Sequence, residues 1–118
     1  MNITEAVQHY GKVSGQVPDA NLYATLIQEE FFEWSDQEWK NHDMVGDYEA
    51  ELKELADLVY VIFGYANAKG WDLNEAVYRV HSNNLGRMYQ PDGTILRRKD
   101  GKIMKNKDYP KVKLGDLV

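Results

Sequence analysis

The 118-residue chain has no cysteine, which excludes disulfide scaffolds, zinc ribbons, iron–sulfur clusters and thiol nucleophiles. Long apolar runs are missing too. The longest, Leu58 to Ala66, has nine residues, far short of the roughly 18 needed to span a bilayer. The opening MNITEAVQHY has no basic stretch leading into an apolar one, so no signal peptide is expected and a soluble, cytoplasmic protein is. Basic residues are scarce through most of the chain. Residues 1–86 hold 15 Asp+Glu against 5 Lys+Arg, a net of −10, whereas residues 87–118 hold 4 against 9, a net of +5. An acidic body argues against a nucleic-acid-binding domain, whose body should be basic. It suits a site where carboxylates hold a metal and lysines hold an anion.

What is present reads as helices. Ile3 to Lys12 forms a first, capped by Asn2 or Thr4 and ended by the Gly11–Gly15 region. Pro18 and Asp19 open a second that runs to about His42. After a break at Asn41–Gly46, a third covers Asp47 to Lys69 and stops at Gly70. Asp72 and Glu75 have capping-box spacing for a fourth, Leu73 to Arg87. The expected fold is therefore all-α, a four-helix bundle over residues 1–88 with an extended basic tail over 89–118, all in one domain. Asp100-Gly101 between Ile95-Leu96 and Ile103-Met104 signals a short hairpin in that tail.

The strongest chemical signal is a set of acids on apolar faces. At about 100° per residue, Glu29, Glu30 and Glu33 continue the stripe begun by Leu22, Tyr23 and Leu26. On the third helix Glu54 and Asp57 share a face with Val61 and Tyr65. That helix is apolar nearly all round from Leu58 to Ala66 and reads as central and buried. A solvated acidic face would place its acids opposite the apolar stripe, and a ferritin-like di-iron bundle would need Glu-x-x-His motifs, which this chain lacks. Buried carboxylates require neutralisation. Lys53 is the only basic residue within ten positions of Glu54, so a hard divalent cation, Mg²⁺ or Mn²⁺, is the natural partner for these oxygen ligands. The spacings Glu30–Glu33 and Glu54–Asp57 are both i,i+3, which projects each pair from one face.

Glu29-Glu30-x-x-Glu33, twenty intervening residues, then Glu54-x-x-Asp57 resembles the EExxE…ExxD signature of the all-α nucleoside triphosphate pyrophosphohydrolases. That superfamily includes MazG-like enzymes and phosphoribosyl-ATP pyrophosphohydrolase. Val80-His81-x-x-Asn84-x-x-Arg87 is similar to its V-H-x-x-N-x-x-K segment, with arginine for lysine. Asp92-Gly93, Asp100-Gly101-Lys102-x-x-Lys105 and Tyr109-Pro110 resemble the tail of one MazG-like subgroup, although Thr94 stands where its first lysine would be. The resemblance implies Mg²⁺-dependent hydrolysis of a nucleoside triphosphate to the monophosphate and pyrophosphate. It implies Glu30, Glu33, Glu54 and Asp57 as metal ligands and Glu29 as the acid that acts on the attacking water, a role Glu33 could exchange with it. It also implies a homodimer or homotetramer.

Asn84, Arg87, Lys102 and Lys105 are the expected substrate contacts: an amide on an inward stripe with His81, and three cations suited to phosphate oxygens. Trp34, beside Glu30 on its helix, is the aromatic best placed to stack a base. Two other readings stay open, a phosphoribosyl-ATP substrate and a non-catalytic nucleotide-binding bundle.

Overall fold

The computed structural model describes residues 1–43 and 46–118. It is all-α, with four helices and one very small sheet: α1 (Ile3–Ser14), α2 (Ala20–Lys40), α3 (Tyr48–Lys69), α4 (Leu73–Arg87), then β1 (Leu96–Arg97), β2 (Ile103–Met104) and a final 3₁₀ turn (Gly115–Leu117). Among the described residues, no helix is long and apolar enough to cross a membrane.

Local chemistry sets the helix ends. The Asn2 side chain accepts from Glu5 N–H at the start of α1. The Asp19 carboxylate accepts from both Asn21 and Leu22 N–H at the start of α2. Asp47 accepts from Ala50 N–H before α3. Each satisfies amide donors that the first turn leaves without partners. Gly15 and Gly70 close α1 and α3 at φ 73° and 75°, the left-handed conformation that glycine adopts without a Cβ penalty. α1 runs two residues beyond its expected end because Gly15, rather than Gly11, supplies that turn. The expected break at 41–46 includes Met44 and Val45, which lie outside the described residues.

The chain divides into two compact units, 1–73 and 74–118. In the first, α3 packs against both α2 and α1. The core is Val7, Tyr23, Phe63 and Ala66. A Cβ on Gly64 would come within 2.2 Å of Tyr23 Cε1, so α2 and α3 approach this closely only because residue 64 has no side chain. Asn41 joins the far ends of the two helices. Its amide donates to Glu51 Oε1 at 3.0 Å and its oxygen accepts from Asp47 N–H at 3.0 Å. With Tyr23 against Gly64 at one end and Asn41 against Glu51 at the other, α2 and α3 are antiparallel. Across α1 and α3, Asn67 donates to Thr4 O and Tyr10 meets Tyr60 edge-to-face at 6.0 Å.

α3 is less enclosed than its composition predicts: Leu52 and Leu55 are exposed, and only Phe63, Gly64 and Ala66 are buried. Apolar residues all round a helix need apolar neighbours all round it, and within this unit α1 and α2 cover only part of its circumference.

The second unit joins α4 to the tail. α4 buries no residue. β1 and β2 pair antiparallel with Leu96 opposite Met104 and Arg97 opposite Ile103, as the Asp-Gly signal predicts. Gly101 has φ 91° in the connecting turn.

Candidate metal centre on α2 and α3

The antiparallel packing brings the middle of α2 to the N-terminal half of α3. One carboxylate oxygen from each of Glu30, Glu33 and Glu54 lies within 4.8 Å of the others. Glu30 and Glu54 are half-buried and Glu33 is exposed, so the group opens to solvent on its Glu33 side. Glu30 Oε2 and Glu54 Oε2 are buried without a hydrogen-bond partner; among the described residues, Thr4 Oγ1 is the other side-chain atom in that condition. An unpaired buried carboxylate oxygen is costly in a folded chain. Two from different helices, converging beside a third acid, form an oxygen donor set that suits a hard divalent cation.

Electrostatics agree. The Glu30 carboxyl titrates above its ordinary value, first because burial disfavours its charge and then because Glu33, Asp57 and Glu54 crowd it with negative charge. A cation among these acids would offset the crowded negative charge and favour the ionised carboxylates.

Asp57 stands outside the three-acid group. It is ion-paired with Lys53, one turn before it on α3, at 2.6 Å. Lys53 is held protonated above its usual range by the Asp57 hydrogen bond first and by the charges of Asp57 and Glu54 next. Asp57 still adds to the field at Glu30. The i,i+4 spacing of Lys53 and Asp57 was the sequence signal for this pair. Glu29 is exposed on α2, next to Glu30 in sequence. Trp34 is half-buried and packs against Phe31 at 6.0 Å between ring centroids.

Asn84, Arg87, Lys102 and Lys105 all lie in the second unit. Asn84 and His81, expected to face inward, are exposed, as are Lys102 and Lys105; Arg87 is half-buried. The residue that turns to the tail is the neighbouring Asn83, whose amide donates to Pro110 O at 2.8 Å. The Arg87 carbonyl accepts from Asn106 N–H at 2.8 Å, which brings the tail beside the C-terminal end of α4. A Cβ on Gly86 would lie 2.2 Å from Tyr109 Oη, so Gly86 is the notch in which the tyrosine sits. Helical periodicity is silent about these contacts because their partners lie 19 to 27 residues away.

A separate cavity of about 520 Å³ lies in the first unit against α1, lined in part by Gln8, Lys12, Gln16, Tyr23 and Asn67. None of the three grouped acids lines it. No protein-family model matches the chain, and a comparison with curated proteins finds no significant match.

Proposed function

We propose that this chain is an Mg²⁺-dependent nucleotide pyrophosphohydrolase of the all-α, MazG-like kind, hydrolysing a (deoxy)nucleoside triphosphate to the monophosphate and pyrophosphate. One observation carries the reading: Glu30 Oε2 and Glu54 Oε2 are buried and unpartnered beside the Glu33 carboxylate. The resemblance of Glu29-Glu30-x-x-Glu33 and Glu54-x-x-Asp57 to that superfamily's signature supports it.

Glu30, Glu33 and Glu54 would hold the metal, with Asp57 joining them if it exchanges Lys53 for the cation. Bound there, Mg²⁺ would neutralise phosphate charge and stabilise the pyrophosphate leaving group. The protein's own groups do the rest. A water attacks the α-phosphorus in line, the new P–O bond forms as the bond to the bridging oxygen breaks, and the water's proton passes to a carboxylate. Glu29 is exposed and outside the grouped acids, so its carboxylate is available for that proton. Asn84, Arg87, Lys102 and Lys105 are assigned to the sugar and phosphates of the substrate.

The same reading makes the protein a cytoplasmic homo-oligomer. Phe32 and Trp39 on α2 and Leu52 on α3 are 72, 68 and 67 % exposed, large apolar side chains that a second copy could cover.

The decisive experiment measures pyrophosphate release from dNTPs, NTPs and phosphoribosyl-ATP, with Mg²⁺ and with EDTA, alongside Glu54→Gln. Mg²⁺-dependent release that the variant lacks is expected. Equal rates in the variant, or in EDTA, would overturn the assignment.

A further inference from the structure

The tail has almost nothing to bury. Residues 91–102 are all exposed, and the hairpin strands have two residues each; such a hairpin is not stable alone. Its order comes from a series of ties to one face of α4. Arg79 donates to Lys113 O and forms a two-pronged pair with Asp116 at 2.6 and 2.9 Å. Asn83 reaches Pro110 O, Gly86 receives the Tyr109 ring, and Arg87 O accepts from Asn106 N–H. Past the helix end, Gln90 Nε2 donates to Met104 O at 2.9 Å. Positions 79, 83 and 86 are spaced four and three apart, which is one helix face. The partners descend from 116 to 104 as the positions ascend from 79 to 90, so the tail is an antiparallel strap in a single register.

Asn83 has a double role. Its amide nitrogen donates to Pro110 O at 2.8 Å, and its amide oxygen accepts from Arg87 Nη1 at 3.5 Å. Only this orientation of the amide satisfies both neighbours, since a carbonyl needs a donor and a guanidinium needs an acceptor. The tail's register and the direction of the Arg87 side chain are thus set by the same amide. Asn106 N–H on Arg87 O brings the backbone of the preceding residue, the exposed Lys105, to the C-terminal end of α4. Among the described residues, neither Arg87 nor Lys105 is in an ion pair, unlike Arg79 and Arg98.

We propose that Asn83 and Gly86 are positioning residues that hold the tail in register on α4, and so present Arg87 and Lys105 together as one phosphate-binding pair. The proposal rests on the pyrophosphohydrolase reading for its substrate, a nucleoside triphosphate gripped by a guanidinium fork and an ammonium point charge.

Two variants separate the parts. Gly86→Ala puts a methyl group where the Tyr109 ring end lies, so the tyrosine must leave the notch while the helix is kept. Asn83→Asp turns a second oxygen toward Pro110 O and releases the tail, yet keeps an acceptor for Arg87. Three readouts apply to each full-length variant: the rate of tryptic cleavage over residues 97–107, affinity for inorganic tripolyphosphate by calorimetry, and kcat and KM for pyrophosphate release from the best nucleotide. Both variants are expected to cleave several-fold faster, to bind tripolyphosphate about tenfold more weakly, and to raise KM by a similar factor with kcat within about twofold. Unchanged cleavage in both would show that these residues do not hold the register. Faster cleavage with unchanged tripolyphosphate affinity would show that the register does not build the anion site, and a wild-type protein that fails to bind tripolyphosphate would overturn the pair itself. If wild type turns over no nucleotide, the pyrophosphohydrolase reading fails alone, because cleavage and tripolyphosphate binding still decide the strap.

Discussion

Gly64 and Gly86 pose the same steric problem in two different regions. At each, a Cβ would come within 2.2 Å of a tyrosine side chain, the ring edge of Tyr23 at one and the hydroxyl of Tyr109 at the other. Tyr23, facing Gly64, is 8 % exposed and sits in the core of the first unit; Tyr109, facing Gly86, is 39 % exposed in the second. The first ring is enclosed by α1, α2 and α3. The second is the free end of a side chain on a strap held by polar ties. The first unit is built by apolar burial and bends that burial around a group of acids. The second buries none of α4 and is organised by amides and guanidinium groups reaching backbone carbonyls.

The largest expected effect tests that contrast directly. Gly64→Ala should lose about 2–3 kcal/mol in urea unfolding, because an overpacked core must shift a buried ring. A loss under about 0.5 kcal/mol, the size of an ordinary surface change, would show that the α2–α3 approach is slack. Next, Mg²⁺ should stabilise the first unit by about 1.4 kcal/mol at ten times its dissociation constant. Glu54→Gln should remove that gain, and a gain retained in the variant would place the ion elsewhere.

The third effect concerns pH. The Glu30 carboxyl titrates above its ordinary 4.5 in the folded chain, so the fold keeps a proton over a range in which the unfolded chain has lost it. The stabilisation present below 4.5 is lost as pH rises through the folded value, and metal-free stability falls across that window. Glu30→Gln should flatten the fall and raise the metal-free Tm at neutral pH. A variant with the wild-type slope would show that another group is responsible. The smallest effect is on the stability of Gly86→Ala, which should stay within about 1 kcal/mol of wild type, since alanine favours the helix while Tyr109 leaves its notch. A loss as large as that of Gly64→Ala would erase the distinction between the two regions.

Much of the fold was legible locally. Asn2, Asp19, Asp47 and Gly70 mark helix ends because a cap needs only residues within one turn, and Asp100-Gly101 marks the hairpin for the same reason. The acids were legible as a face, since 3.6 residues per turn places Glu30 and Glu33 together whatever packs against them. Asn84, read from that same periodicity as inward, is exposed on α4. Val77 on the same face is 54 % exposed, and it is Asn83 that meets the tail.

By itself, then, the sequence determined the four helices, their ends, and which carboxylates share a face, all of them consequences of contacts within about four residues. Tertiary structure decided how closely α2 and α3 approach, through the gap at Gly64. That approach determined that Glu30, Glu33 and Glu54 converge, while Asp57 remains with Lys53 on its own helix. It also decided the register of the tail, because a carbonyl at Pro110 or a ring at Tyr109 finds its donor or its notch only once α4 exists as a surface.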